Sequence, residues 1–129
     1  GTVKSLRIIE DVPRVGVRRG GVIVTSATNI YTVKRLLGRV PVEADGSAYF
    51  VVPADRNIYF EALDADGREV QRMRSVVCLR PREQRTCVGC HEVRTTSPPN
   101  RPASAWHRPP SRPAPPSRRK RVYRTSLAP

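Results

Sequence analysis

Two Asp-Gly pairs, Asp45-Gly46 and Asp66-Gly67, do most to limit what this chain can fold into. Glycine reaches the positive φ that tight hairpin turns require and aspartate bonds its own backbone two residues on, so each pair between short apolar runs predicts an antiparallel reversal. The flanking runs suit strands. Val40 and Val42 alternate with Arg39 and Glu43, and Ser47 to Val52 forms a run that Pro53 and Asp55 close. Asn57 to Leu63 then puts Ile58, Phe60 and Ala62 on one side and Tyr59 and Glu61 on the other. Asp64 to Gly67 turns the chain into a returning strand from about Arg68 to Leu79, stopped by Pro81.

Upstream the signals are thinner. Val3 to Ile9 predicts a first strand ended by Asp11 and Pro13, residues 14–21 a basic, Gly-bearing loop, and Val22 to Thr25 a short strand. Asn29 to Leu37 fits two structures: Ile30, Val33 and Leu37 fall at helical spacing with Asn29 as N-cap and Gly38 as stop, and a twisted strand uses the same residues. Strand runs separated by turn signals every eight to twelve residues or so predict an all-β class. We expect a small antiparallel β-sandwich-like domain over residues 1–92, too short for a large core.

Charge divides the chain at the same place. Residues 1–92 carry 15 Lys or Arg against 11 Asp or Glu, whereas residues 93–129 carry nine basic residues, no acidic one and nine of the 13 prolines. Most of the net +13 therefore belongs to the second part, whose composition predicts a Pro/Arg-rich linker or disordered tail. Such a tail offers charge to nucleic acid or anionic lipid, but a solvated linker accounts for it, and nucleic acid is not the expected partner.

At the junction stands Cys87-Val88-Gly89-Cys90-His91. Two cysteines three apart followed at once by histidine is the attachment sequence of a c-type haem. Each sulfur adds to one vinyl of the porphyrin; residues three apart share a helix face, which suits two vinyls on neighbouring pyrroles. His91 is then the iron's axial ligand, Gly89 leaves room for a flat ring against the backbone, and Thr86 is placed to cap a helical turn through Cys90. The expected cofactor is one covalent haem c, held by Cys87, Cys90 and His91, and no catalytic residue is assigned. A zinc site would need two further ligands, for which the chain offers Cys78 and the distant His107. A disulfide, or a thioredoxin-like pair in a βαβ setting, is the remaining alternative.

A sixth iron ligand has two candidates. Met73 is a distal sulfur or core filler, and His107 is a second imidazole or a residue of the linker. Cys78, within Val76-Val77-Cys78-Leu79, reads as a buried small hydrophobe. Arg72, Arg74, Arg80 and Arg82 suit either the haem propionates or an exposed strand face. The functional expectation is single-electron transfer to a redox partner protein or an adjacent haem domain of the same chain. The rivals are haem-based redox catalysis on a small nitrogen or oxygen substrate, and a structural or adhesion β module with a non-haem Cys site.

Covalent haem attachment normally takes place outside the bacterial cytoplasm, so a periplasmic or otherwise extracytoplasmic location is expected. The chain shows no basic start, apolar run and small-residue cleavage site, and no run of roughly 20 apolar residues that would span a membrane. We therefore read it as a fragment, with an export signal expected upstream.

The run VPVEADGSAYFVVPADRNIYFEALDADGREVQRMRS, over residues 40–75, and CVGCHE, over 87–92, resemble the middle domain of the hydrazine synthase alpha-subunit family, found in planctomycete multidomain proteins. The resemblance takes in roughly residues 1–116 and implies a haem-bearing domain of a larger chain, often with a second haem domain downstream or a β-propeller upstream. It also implies a haem-ligating tyrosine soon after the motif. Here that stretch is Glu92-Val93-Arg94-Thr95-Thr96, so hydrazine synthase activity is not expected, and residues 118–129 depart from the family's onward sequence.

Overall fold

The computed structural model describes residues 1–12, 33–88, 95–96 and 101–115. Among the described residues four strands, β1 (Ser5–Val12), β2 (Val33–Pro41), β3 (Ile58–Leu63) and β4 (Glu69–Arg72), form one sheet in the order β2-β1-β3-β4. All neighbours are antiparallel. The only helical element among the described residues is a single 3₁₀ turn at Ser104–His107. The all-β antiparallel expectation therefore holds.

Register decides which side chains share a face. Leu6 lies between Val40 and Ala62, and Ile8 between Gly38 and Phe60, so these residues line one surface with Ile58. Ile8 and Ile58 are fully buried there and Val40 nearly so. Because side chains alternate along a strand, the opposite surface carries Arg7, Ile9, Tyr59, Glu61 and Leu63. On it Ile9, Tyr59 and Leu63 are buried as well. The two central strands thus bury residues on both sides, and the alternation seen in Asn57–Leu63 is not one of inside and outside.

Charges follow the same register. Glu61, directly opposite Arg7 and Arg72 on the neighbouring strands, is 3% exposed and lies 2.7 Å from Arg7 Nη1 and 3.1 Å from Arg72 Nη2. Glu10 is buried too, 2.8 and 3.0 Å from Arg56 Nη1 through its two carboxylate oxygens. Lys34 pairs with Asp11 opposite it on β1. A carboxylate is buried at tolerable cost only when paired in this way.

The ambiguous stretch is a strand where it is described. Residues 33–37 belong to β2, and residues 29–32 and the strand expected at Val22–Thr25 lie outside the described residues. Gly38 does not stop a helix. Ile8 faces Gly38 and Ile9 faces Leu36, leaving Leu37 as the extra residue of a β-bulge, with Gly38 at φ 148°.

Two other expected strands are corrected. Ser47 to Val52 forms no strand of the sheet: the turn at Asp45-Gly46 lifts the chain over the apolar face, where Phe50 meets Phe60 edge-on at 5.5 Å. The return from Arg68 to Leu79 is interrupted. β4 ends at Arg72, Met73 donates its N–H to Phe60, and the chain rejoins β3 only where Val77 pairs with Ile58. Residues 74–76 then stand opposite Tyr59 alone, too many for a continuous ladder. The turns at Gly46 (φ 86°) and Gly67 (φ 77°) form as expected.

A single sheet with one face overlaid by extended chain replaces the sandwich of two sheets among the described residues. Residues 101–115 are ordered beside it, bonded to the 43–51 segment and to the edge strand β2 at Arg39, so the expected disordered tail is corrected for this span. Tyr49 O accepts from the Ser111 N–H at 2.9 Å, Ser111 O accepts from the Val51 N–H at 3.0 Å, and Arg39 and Ala114 exchange two backbone hydrogen bonds. Ala105 is fully buried. Proline-rich chain packs here because its few free donors and acceptors find partners on the 43–51 segment and on β2.

Candidate functional site

The segment leading to the cysteine motif leaves the sheet at a defined point. Val77 and Ile58 exchange hydrogen bonds of 2.9 and 2.8 Å, and the Asp55 N–H donates to Leu79 O at 2.8 Å. A turn follows at Pro81 and Arg82, the latter at φ 65°. Glu83 closes it from both sides: its N–H donates to Arg80 O at 3.0 Å, and its carboxylate accepts the Arg80 N–H at 2.7 Å. That backbone donor first, and then the Arg85 guanidinium at 2.7 Å, hold the Glu83 carboxyl below the ordinary glutamate range.

Thr86, Cys87 and Val88 come next, all exposed. Cys87 is a free thiol open to solvent. Gly89, Cys90 and His91 lie outside the described residues; of the helical turn expected from Thr86 through Cys90, residues 86–88 are described and are not helical, and the structure places one of the three residues expected to hold a haem. Met73 is half-buried beside β3, and His107 is exposed at the end of the 3₁₀ turn. Cys78 is exposed and not a buried hydrophobe, because Val77 and Leu79, its neighbours along the extended chain, are the residues turned inward. Arg72 is engaged by Glu61 and Glu69, whereas Arg74, Arg80 and Arg82 are exposed. Among the described residues no three His, Cys, Asp or Glu side chains gather as a metal site.

The segment carrying the motif returns to the sheet at a second point, which the sequence reading missed. Asp45 accepts the Ser104 N–H through Oδ2 at 2.7 Å, and the Ser47 hydroxyl and N–H through Oδ1 at 2.7 and 3.1 Å. These donors, that of Ser104 foremost, hold its carboxyl well below the usual carboxylate range. Ser47 Oγ accepts the Ala105 N–H at 3.0 Å, and Arg108 Nε donates to Glu43 at 2.5 Å. The only sequence hint was Asp45 and Ser47 as an Asx pair with acceptor capacity to spare.

The profile of the hydrazine synthase alpha subunit middle domain matches residues 1–92. The chain belongs to that family. No curated protein and no solved structure matches it. The matched span contains all four strands of the described residues and ends one residue after His91. Residues 93–116, which the sequence resemblance took in, lie beyond the match.

Proposed function

We propose that this domain carries one c-type haem through Cys87 and Cys90, with His91 on the iron, and exchanges single electrons with a redox partner or an adjacent haem domain of the full chain. The observation that carries the reading is the pentapeptide Cys87-Val88-Gly89-Cys90-His91, closing the family-matched span. Cys87 suits the role because its thiol is free and exposed, and no strand or helix of the described structure confines it. Bound there, the haem would supply a one-electron iron couple.

In this reading the two thiols would hold the ring by covalent bonds, and His91 would supply a nitrogen to the iron. Met73 and His107 are the candidate sixth ligands. Arg80 and Arg82 keep positive charge on the approach to Cys87, which suits propionates. Because haem maturation of this kind takes place outside the cytoplasm, the domain works in an extracytoplasmic compartment.

The test is expression with haem-maturation machinery. The product should show a Soret band and an intact mass one haem above the polypeptide, and Cys87→Ala with Cys90→Ala should abolish both. A colourless protein of polypeptide mass would sink the proposal.

A further inference from the structure

We propose that residues 101–115 are a clasp that fixes where the motif-bearing loop sits, and that Asp45 is the positioning residue that closes it. The proposal rests on the haem reading only for its functional consequence. Residues 80–103, which contain the whole cysteine motif, run between two anchors, Leu79 bound by Asp55 and Ser104 bound by Asp45. Asp45 and Asp55 stand in the two turns that flank the Ser47–Pro53 segment, and so belong to one short piece of chain over one face of the sheet. A loop tied at both ends samples far less space than a tail tied at one. Cys87 is thereby kept near one side of the domain.

Further contacts make the clasp more than incidental packing. Ala105 is fully buried and its N–H is taken by Ser47. Arg108 ties Glu43 to Ser111, and Ser111 pairs on both sides with the backbone of Tyr49 and Val51. At the far end Ala114 sits so close to Gly38 that a Cβ there would lie 2.4 Å from its carbonyl oxygen. The bulge glycine in β2 thus leaves the gap into which the clasp fits.

The experiment uses the full chain with Cys78→Ser and Cys90→Ser, haem-free, carrying a fluorescent label on Cys87. Asp45→Ala removes the acceptor, and Ala105→Asp places a charge in the buried position from the clasp side, leaving the sheet's own residues intact. In both variants the amides of Ala105, Ser111 and Ala114 should exchange at least about tenfold faster, the factor that losing one charge-assisted hydrogen bond corresponds to. Amides shared by β1 and β3 should stay protected, and the label's anisotropy should fall. In the haem-loaded protein without the Cys substitutions, the same two variants should change the rate of haem reduction by dithionite. Unchanged anisotropy while the clasp amides exchange freely would overturn the proposal. A protein that takes up no haem would leave the anisotropy result standing and refute the functional reading alone.

Discussion

Replacing Glu61 by alanine probes how much of the sheet's stability comes from a charge buried in its centre. The carboxylate is 3% exposed on β3, with Arg7 of β1 at 2.7 Å and Arg72 of β4 at 3.1 Å. The two pairs are unequal. Arg72 is half exposed and keeps Glu69 at 2.5 Å, so losing Glu61 costs it little, in the range of surface ion pairs, about 0.5 kcal/mol. The Arg7 side chain is 23% exposed and regains water only in part. Removing one partner of a fully buried pair costs about 3–5 kcal/mol, and partial rehydration of Arg7 brings the expected loss to about 2–3 kcal/mol. That is a large share of the stability of a domain this small. Urea unfolding of the haem-free protein measures it, and Arg7→Ala with the double variant completes a cycle in which a coupling of at least about 1 kcal/mol is expected. If Glu61→Ala stays within about 0.5 kcal/mol of the parent, or the two substitutions simply add, the buried ion pair is not what holds the strands in register.

Two further expectations concern the clasp and the iron. Because the folded-state pKa of Asp45 is depressed, its contribution is fully present above the ordinary aspartate value near 3.9, erodes as pH falls below that value, and is gone below the folded pKa. Exchange protection at Ala105 should accordingly fall only in strong acid, and Asp45→Asn should abolish that pH dependence; a loss of protection centred near neutral pH in the parent contradicts the assignment. Carbon monoxide added to the reduced, haem-loaded protein should not bind at once, as for iron with both axial positions filled; immediate spectral change would favour catalysis at an open site over electron transfer.

The hairpin from Ile58 to Arg72 could be read directly because every signal in it is local: a β-branched and aromatic run, an aspartate and a glycine in the turn, and alternation along β3. The role of Gly38 could not. A glycine after an apolar run reads as a helix stop when its neighbours in sequence are the only context, whereas here its partner is Ala114, 76 positions away. The same holds for Glu61, whose place in an alternating pattern says nothing of the arginines that bury it. Of the candidate site, one pentapeptide, Cys87 to His91, carries the proposed chemistry. The second anchor was not legible, because residues 101–115 look unstructured by composition and gain structure from partners distant in sequence, among them Asp45, Ser47, Tyr49 and Arg39.

Where the family resemblance stops and where the packed chain stops are therefore different questions. The matched span ends at residue 92, yet chain beyond it pairs with the backbone of Tyr49 and Val51 and with the edge strand β2 at Arg39. A family profile records residue types shared among relatives, and a clasp made largely of backbone hydrogen bonds constrains few of them. Prolines at 109, 110, 113 and 115 restrict the backbone before it docks, which lowers the entropy lost on docking without fixing any side chain. Of the contacts that do need particular side chains, Asp45 with Ser47 lies within the matched part, and Glu43 with Arg108 joins the matched part to the unmatched one. A protein cut after residue 92 would thus keep the sheet and the cysteine motif but lose the second anchor, at Asp45 and Ser104.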